Sequence, residues 1–177
     1  MNWPRRYAFV LAIYLNTRGF AFALFEGHLS PIDWGVKEIR GRRKHSRCVA
    51  GIDKILDRYE PDILVLQDTS PTGTRRARRV TKLNSAVAIL GSGRAIPVYA
   101  YSREEVRSAF GELGLPNKHS MAEIIAKHIP AFERYVPPPR KPWMSEDARM
   151  GLFDAAALAL VFFQRAGGPE GQFVAST

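Results

Sequence analysis

Two aspartates and an amide stand where apolar segments end or are interrupted, which makes them the first candidates for chemistry. Gln67 and Asp68 directly follow the apolar run at 63–66, and Asp154 is the only charged residue on an apolar helical stripe near the end of the chain. Burying a lone carboxylate is costly unless a cation or a set of donors meets it, and Mg²⁺ binds carboxylate oxygens. A metal-ligand role must therefore be considered for both aspartates, and a helix N-cap for Asp154 and a turn-closing role for Asp68 are equally open.

Positive charge is concentrated in two segments of eight residues that contain no acid. Together they hold ten Lys and Arg residues, one more than the net charge of +9 that the 177-residue chain carries. This clustering indicates a local contact with phosphates, because one guanidinium group can donate two parallel hydrogen bonds to phosphate oxygens. The alternative is that these charges form a solvated face. The predicted nucleic-acid-binding residues of these segments are Arg40, Arg42, Arg43, Lys44, Arg47, Arg75, Arg76, Arg78, Arg79 and Lys82.

Composition and spacing exclude several classes of protein. The apolar run at 7–15 is too short to span a bilayer, and the first residues show no signal-peptide cleavage pattern. Cys48 is the single cysteine, so the chain has no intramolecular disulfide and no thiolate metal cage. The four histidines show no metal-ligand spacing. We expect a cytoplasmic protein without membrane contact.

The first part of the chain predicts three strands, a helix and a fourth strand. Segments rich in strand formers at 7–15, 20–25 and 32–39 are separated by short turns, which is typical of an antiparallel meander with the third strand at an edge. Apolar residues at helical spacing predict a helix at 49–59, and the wholly apolar segment 63–66 follows as a buried strand. A strand, a helix and a buried strand in this order imply a parallel crossover.

The rest of the chain adds a fifth strand among further helices. The predicted elements are a helix through Leu83 that stops at Gly91, a strand at 96–100, a helix at 104–110, a helix opened by a Ser120–Glu123 capping box, an extended connector at 136–142 and a helix from Ser145 to about Arg165. The fold class is thus α/β, with a mixed five-stranded sheet flanked by helices, its first three strands antiparallel and its fourth and fifth parallel. We expect one domain over 1–166, a flexible tail over 167–177, and a ligand site at the carboxyl ends of the central strands.

Four segments, in their order and spacing, carry a resemblance to a known family. They are LAIYLNTRGFAFALFEG (11–27), PDILVLQD (61–68), KLNSAVAILGSGRAIPVYAYSREEVRSAF followed by NKHSMAEII (82–110 and 117–125), and FDAAALAL (153–160). The sequence resembles the RNase H-like superfamily and, more closely, the RuvC-type Holliday junction resolvases. This resemblance implies an RNase H-like fold and a homodimeric endonuclease in which acids of the first strand, the fourth strand and the last helix hold two Mg²⁺ ions.

Carried over residue by residue, the resemblance gives an incomplete set of acids. Asp154 matches the acid of the last helix, whereas Tyr14 takes the acid position of the first strand. Gln67 takes the acid position of the fourth strand, with Asp68 beside it, and Gly151 replaces a further acid one helical turn before Asp154. A phenol is a poor Mg²⁺ ligand at neutral pH, and an amide carries no charge. Without the resemblance, Tyr14 is interpreted as a core residue.

These residues favour a RuvC-like protein that binds branched or duplex DNA, or RNA, around a degenerate endonuclease site. Lys118 matches the family's turn lysine, for which a phosphate contact and a solvated position both remain open. One alternative is an active resolvase in which Asp68 and Asp154 are catalytic ligands of Mg²⁺ or Mn²⁺; without catalysis no cofactor is expected. Another alternative is a non-catalytic assembly or scaffold subunit that binds RNA or an acidic partner.

Overall fold

Five strands and five α-helices form in the residues that the computed structural model describes, which are 8–69, 74–111 and 117–166. The strands are β1 (Phe9–Asn16), β2 (Gly19–Glu26), β3 (Pro31–Glu38), β4 (Ile63–Asp68) and β5 (Val98–Ser102). The helices are α1 (Lys44–Tyr59), α2 (Arg75–Gly93), α3 (Arg103–Ala109), α4 (Lys118–His128) and α5 (Met150–Ala166), with a 3₁₀ helix at Pro130–Tyr135 before α5. Tyr7, most of the predicted loop 69–73 and the predicted tail 167–177 lie outside the described residues.

The strands form one mixed sheet in the order β3-β2-β1-β4-β5. β2 pairs antiparallel with both β1 and β3, whereas β4 pairs parallel with both β1 and β5. The parallel step from β4 to β5 needs a crossover, which α2 provides. The predicted mixed sheet, with its third strand at an edge, is confirmed.

Helices cover both faces of the sheet, which is why β1, β2 and β4 are continuous apolar runs. Side chains of a strand alternate between the faces, so Val10 and Ala12 pack toward α4 and α5, whereas Leu11 and Ile13 pack toward α1 and α2. Every residue of α5 from its start to Phe163 is buried except Asp154, which is partly exposed. No helix in the described ranges combines the length and apolar character that crossing a bilayer requires.

Several helix ends differ from the predicted ones. The Asn117 side chain accepts a hydrogen bond from the Ser120 N–H at 2.8 Å, so α4 begins at Lys118 and the predicted cap at Ser120 is wrong. The last helix begins at Met150 instead of Ser145, which places Asp154 inside α5 and rules out its N-cap interpretation. The second basic segment lies within α2, and this helix ends at Gly93 instead of the predicted Gly91. The side chain that accepts from the first free N–H groups decides where a helix begins, as Asn117 does for α4, and sequence spacing alone did not identify it.

Candidate functional site

The carboxyl ends of β1 and β4 lie side by side, which brings two predicted site residues together. Because the two strands are parallel and in register, Tyr14 and Gln67 occupy equivalent positions on them. Both side chains line a cleft of about 260 Å³, together with Lys118 of α4 and Asp154 of α5. The cleft thus unites four of the predicted site residues at the sheet edge where the sequence placed a ligand site.

Asp68, the other predicted metal ligand, lies outside this cleft. Gln67 follows Val65 on the face of β4 that packs against α5, whereas Asp68 follows Leu66 on the opposite face. Asp68 is exposed there and lines neither of the two clefts that contain Asp154. The geometry therefore gives no support to a metal shared by Asp68 and Asp154, and a ligand role for Asp68 stays a prediction.

Lys118 supplies the cation that meets the carboxylate of Asp154. Its Nζ lies 3.3 Å from Asp154 Oδ2 and 2.9 Å from Glu146 Oε1, and 5.5 Å from the centre of the Tyr14 ring. The cap formed by Asn117 fixes the start of α4 and with it the position of Lys118. Sequence reasoning missed Glu146, which stands beside Asp147 in the connector before α5 and belongs to no motif.

Burial and charge change the acidity of three groups in this cluster. Burial raises the pKa of Asp154 to about 6, and the positive charge of Lys118 limits this rise. Burial and the carboxylate of Asp154 raise the pKa of Tyr14, so its phenol stays protonated at neutral pH. Burial by itself lowers the pKa of Lys118, but Asp154, Tyr14 and Glu146 outweigh burial and raise that pKa above its ordinary value. The ammonium is therefore a permanent cation next to Asp154.

Gly151, where the resemblance places a further acid, lies where α5 packs closely against β2. A Cβ at this position would lie 3.2 Å from the Cβ of Ala21 and 3.9 Å from the ring of Tyr14. Protein interiors are close-packed, so even a methyl group here requires β2 or α5 to shift. The glycine thus permits the close packing of α5 on β2 at this point.

The donor set of the smaller cleft does not fit Mg²⁺ or Mn²⁺. These ions take hard oxygen ligands in octahedral geometry, usually with carboxylates among them. Asp154 is the single carboxylate among the residues that line this cleft, and the Lys118 ammonium already neutralises it. Nowhere in the part of the chain that the structure describes do three His, Cys, Asp or Glu side chains group so as to hold a metal ion.

A second, larger cleft of about 920 Å³ also contains Asp154 and gathers basic residues from both predicted segments. Lys44 at the start of α1 lines it, and α2 contributes Arg76, Arg79 and Lys82. The three α2 residues lie at intervals of three, which places them on one face of the helix. We call this the basic cleft. Four residues of the predicted phosphate-binding set therefore line a cleft that also contains Asp154.

The basic cleft also contains acids, and each of them has a cation within ion-pair distance. Glu38 lies 3.3 Å from Arg40, and Asp147 lies 2.7 Å from Arg149. Glu146 and Asp154 share the ammonium of Lys118. Because the acids are paired with these cations, the positive charges of Arg76, Arg79 and Lys82 on the α2 side of the cleft are in excess.

Six residues of the predicted basic set line neither cleft: Arg40, Arg42, Arg43, Arg47, Arg75 and Arg78. Arg47 donates to the backbone oxygen of Arg40 at 2.6 Å, so it helps to shape its own segment. Arg75 and Arg78 are exposed on α2 and line neither cleft. A phosphate contact by these six stays a prediction.

Four basic residues of the two clefts were missed by sequence reasoning. Arg18 and Lys37, from the β1–β2 turn and β3, line the basic cleft. Arg103 and Arg107 of α3 line the smaller cleft. These four residues do not belong to a run of basic residues in the sequence, and those of α3 have acids beside them. Only the fold brings them together.

Two curated proteins are similar in sequence to this chain. The crossover junction endodeoxyribonuclease RuvC of Pseudarthrobacter chlorophenolicus is 32% identical over 127 residues, which are 71% of this chain and 59% of that protein. The protein of the same name from Paenarthrobacter aurescens is 31% identical over 121 residues, 68% of this chain and 58% of that protein. The chain thus matches less than two thirds of the length of these relatives. No protein-family model matches it.

Solved structures share the fold. The complex of Thermus thermophilus RuvC with a Holliday junction substrate matches with a TM-score of 0.67 and 18% identity, over 93% of this chain and 99% of that one. The complex of a Fowlpox virus resolvase with Holliday junction DNA matches with a TM-score of 0.53 and 10% identity, over 85% and 98% of the two chains. These matches confirm the predicted RNase H-like fold.

Proposed function

Because this chain is related to the RuvC-type Holliday junction resolvases of the RNase H-like superfamily, we propose that it binds branched DNA in the basic cleft and lacks metal-dependent cleavage. The proposed ligand is a four-way junction or another branched duplex, recognised chiefly through its phosphates. We further propose a cytoplasmic homodimer, since the resemblance implies a two-fold assembly on a two-fold junction. Sedimentation of the free protein and of its junction complex measures that assembly.

The residues at the acid positions carry the proposed loss of cleavage, since Asp154 is the single carboxylate among the residues that line the smaller cleft. A two-metal mechanism needs several carboxylates that bind two divalent cations and thereby activate water and stabilise the leaving oxygen. Tyr14, Gln67 and Gly151 occupy the other acid positions, and Lys118 neutralises the carboxylate that remains. No step through a metal is therefore part of the proposed function.

Binding is supported by the position of the basic cleft next to the same cluster. Lys44, Arg76, Arg79 and Lys82 line one continuous cleft, although they come from two segments far apart in the sequence. Each Lys or Arg that neutralises a phosphate releases counterions from DNA, so this binding weakens steeply as salt rises. The cleft thus supports a phosphate-binding surface that binds DNA although the protein does not cleave it.

A matched pair of double variants tests the binding surface. Arg76→Gln with Arg79→Gln removes two charges from the basic cleft, whereas Arg75→Gln with Arg78→Gln removes two charges from the same helix outside it. Junction affinity is measured for both at several salt concentrations. The first pair is expected to reduce the slope of log affinity against log salt by up to about 2, and the second to reduce it by less. Equal effects of the two pairs would contradict binding in this cleft.

Incubation with labelled substrates tests the loss of cleavage. Four-way junction, linear duplex and single-stranded DNA are each treated with Mg²⁺ or Mn²⁺, with RNA of the same sequence as a further ligand. We expect tightest binding to the junction and no metal-dependent product. Cleavage that Asp154→Asn abolishes would overturn the proposal in favour of an active resolvase. Equal affinity for RNA would argue for a scaffold that binds nucleic acid without regard to branching.

A further inference from the structure

The side chain of Trp143 is exposed to solvent, although tryptophan normally buries most of its surface. With 78% of its surface exposed, it is the most exposed large hydrophobic residue in the described part of the chain, and its neighbour Met144 is 48% exposed. Lys141 places its Nζ 5.4 Å from the centre of the indole ring. An exposed aromatic side chain with cations around it is typical of surfaces that stack on nucleic-acid bases.

A tight turn presents this tryptophan. The Met144 N–H donates to the Lys141 carbonyl at 3.0 Å, which closes a four-residue turn with Pro142 at its second position. The proline ring fixes φ there and favours the turn. The indole is therefore displayed by a backbone of restricted freedom.

Contacts on both sides hold the turn in place. Before it, His119 Nε2 lies 3.0 Å from the carbonyl oxygen of Pro137. After it, the Glu146 carbonyl accepts from Arg18 at 2.7 Å, and the Glu146 carboxylate pairs with Lys118. A turn whose backbone is held on both sides loses little backbone entropy when its tryptophan binds a ligand, which favours affinity.

The turn adjoins the basic cleft along the chain. Residues 145–148 line that cleft together with Arg76 and Arg79. The Cα atom of Trp143 is two residues away from this lining, hence at most about 7.6 Å from the Cα of Ser145. Arg140 and Lys141 precede it, and the segment 136–144 contains no acid. Charge complementarity and continuity with the cleft thus both favour a nucleic acid over a protein ligand.

We propose that Trp143 is a base-stacking residue, which binds an unpaired or unstacked nucleotide of the DNA held in the basic cleft. The proposal rests on the proposed function and adds the part of the substrate that this side chain recognises: an exposed base beside a duplex, as found at a gap or a distorted branch point. Arg140 and Lys141 are placed to contact the adjoining phosphates.

Affinity and salt dependence together test this role. Trp143→Ala is expected to weaken binding to a four-way junction and to a duplex with a three-nucleotide gap by about 5- to 100-fold, because stacking on an aromatic ring contributes affinity for each base. Binding to a closed duplex of the same sequence is expected to change less than about two-fold. Stacking neutralises no phosphate, so the salt slope is expected to stay the same. Ile89→Ala is the matched control, because it removes another exposed apolar side chain, 72% exposed, which lines neither cleft.

Fluorescence gives a direct readout of contact. Gapped DNA is expected to quench the tryptophan emission of the unmodified protein, and Trp143→Phe is expected to lose this quenching while it retains most of the affinity. Unchanged affinity of Trp143→Ala for gapped DNA would overturn stacking, as would a change in oligomeric state caused by this variant, which would assign Trp143 to a contact between copies of the chain. Failure of the unmodified protein to bind DNA would instead overturn the proposed function itself.

Discussion

The Nζ atom of Lys118 lies 3.3 Å from Oδ2 of Asp154, and this ion pair joins the first residue of α4 to the interior of α5. The two side chains are partly shielded, with 31% and 17% of their surfaces exposed. Replacing a shielded pair by apolar groups changes stability little, but removing one partner leaves a charge without compensation. Lys118 therefore makes the buried carboxylate of α5 tolerable without a metal ion.

A double-mutant cycle on this pair is expected to show strong coupling. Lys118→Met leaves Asp154 with an uncompensated charge and is expected to lower the free energy of unfolding by about 1–3 kcal/mol, since the pair is only partly buried. In the presence of Asp154→Asn, the same change is expected to have less than half that effect. Urea unfolding at pH 7.5 measures all four proteins. Additive effects of the two substitutions would contradict the coupling.

Stability is expected to depend on pH through Asp154. Burial raises its folded-state pKa from 3.8 to about 6, so this group stabilises the folded state most below pH 4 and loses that contribution as pH rises to about 6. Compared with Asp154→Asn, the unmodified protein is therefore expected to lose up to about 3 kcal/mol between pH 4 and pH 7. Unfolding of both proteins by urea across this range tests the sign. A difference independent of pH would show that Asp154 titrates normally.

Packing of α2 on the sheet is expected to depend on a single glycine. A Cβ at Gly91 would lie 2.8 Å from Cδ2 of Leu64 and 3.0 Å from Cγ2 of Val98, whereas a Cβ at Gly93 meets no atom within 4 Å. Gly91→Ala is therefore expected to destabilise the fold by about 1–3 kcal/mol through overpacking. Gly93→Ala is the matched control and is expected to be neutral or slightly stabilising, because alanine is the better helix former. Thermal unfolding that moves equally in both variants would contradict this packing.

The order of the elements was predictable from sequence because each strand or helix is marked by its own local pattern. Apolar runs identified β1 and β4, and helical spacing identified α1 and α5. The position of Asp154 as the only charge on an apolar stripe also identified the centre of the site. These signals are local in the chain, and local patterns specify elements more firmly than they specify contacts.

The partners of Asp154 were not predictable in the same way. Glu146 and Lys118 meet it only because α4 and the connector before α5 pack at the same end of the sheet. Asp68 and Gln67 are neighbours in sequence, yet strand alternation directs only Gln67 into the cleft with Asp154. The sequence left two candidates, Gln67 and Asp68, for the residue that β4 contributes to the site. The alternation of side chains along the strand shows that this residue is Gln67.

The position of Gln67 leads to a gain-of-function prediction. Tyr14→Asp with Gln67→Glu places two carboxylates on neighbouring strand ends that line the cleft with Asp154, and three carboxylates suit Mg²⁺ or Mn²⁺ better than one. This double variant is expected to bind Mn²⁺ in calorimetry, and to gain about 1.4 kcal/mol of stability when the metal is at ten times its dissociation constant. Tyr14→Asp alone leaves Asp68 as the only acid near the end of β4 and is expected to bind Mn²⁺ at least ten-fold more weakly. Equal affinity of the single and double variants would instead assign the β4 ligand to Asp68.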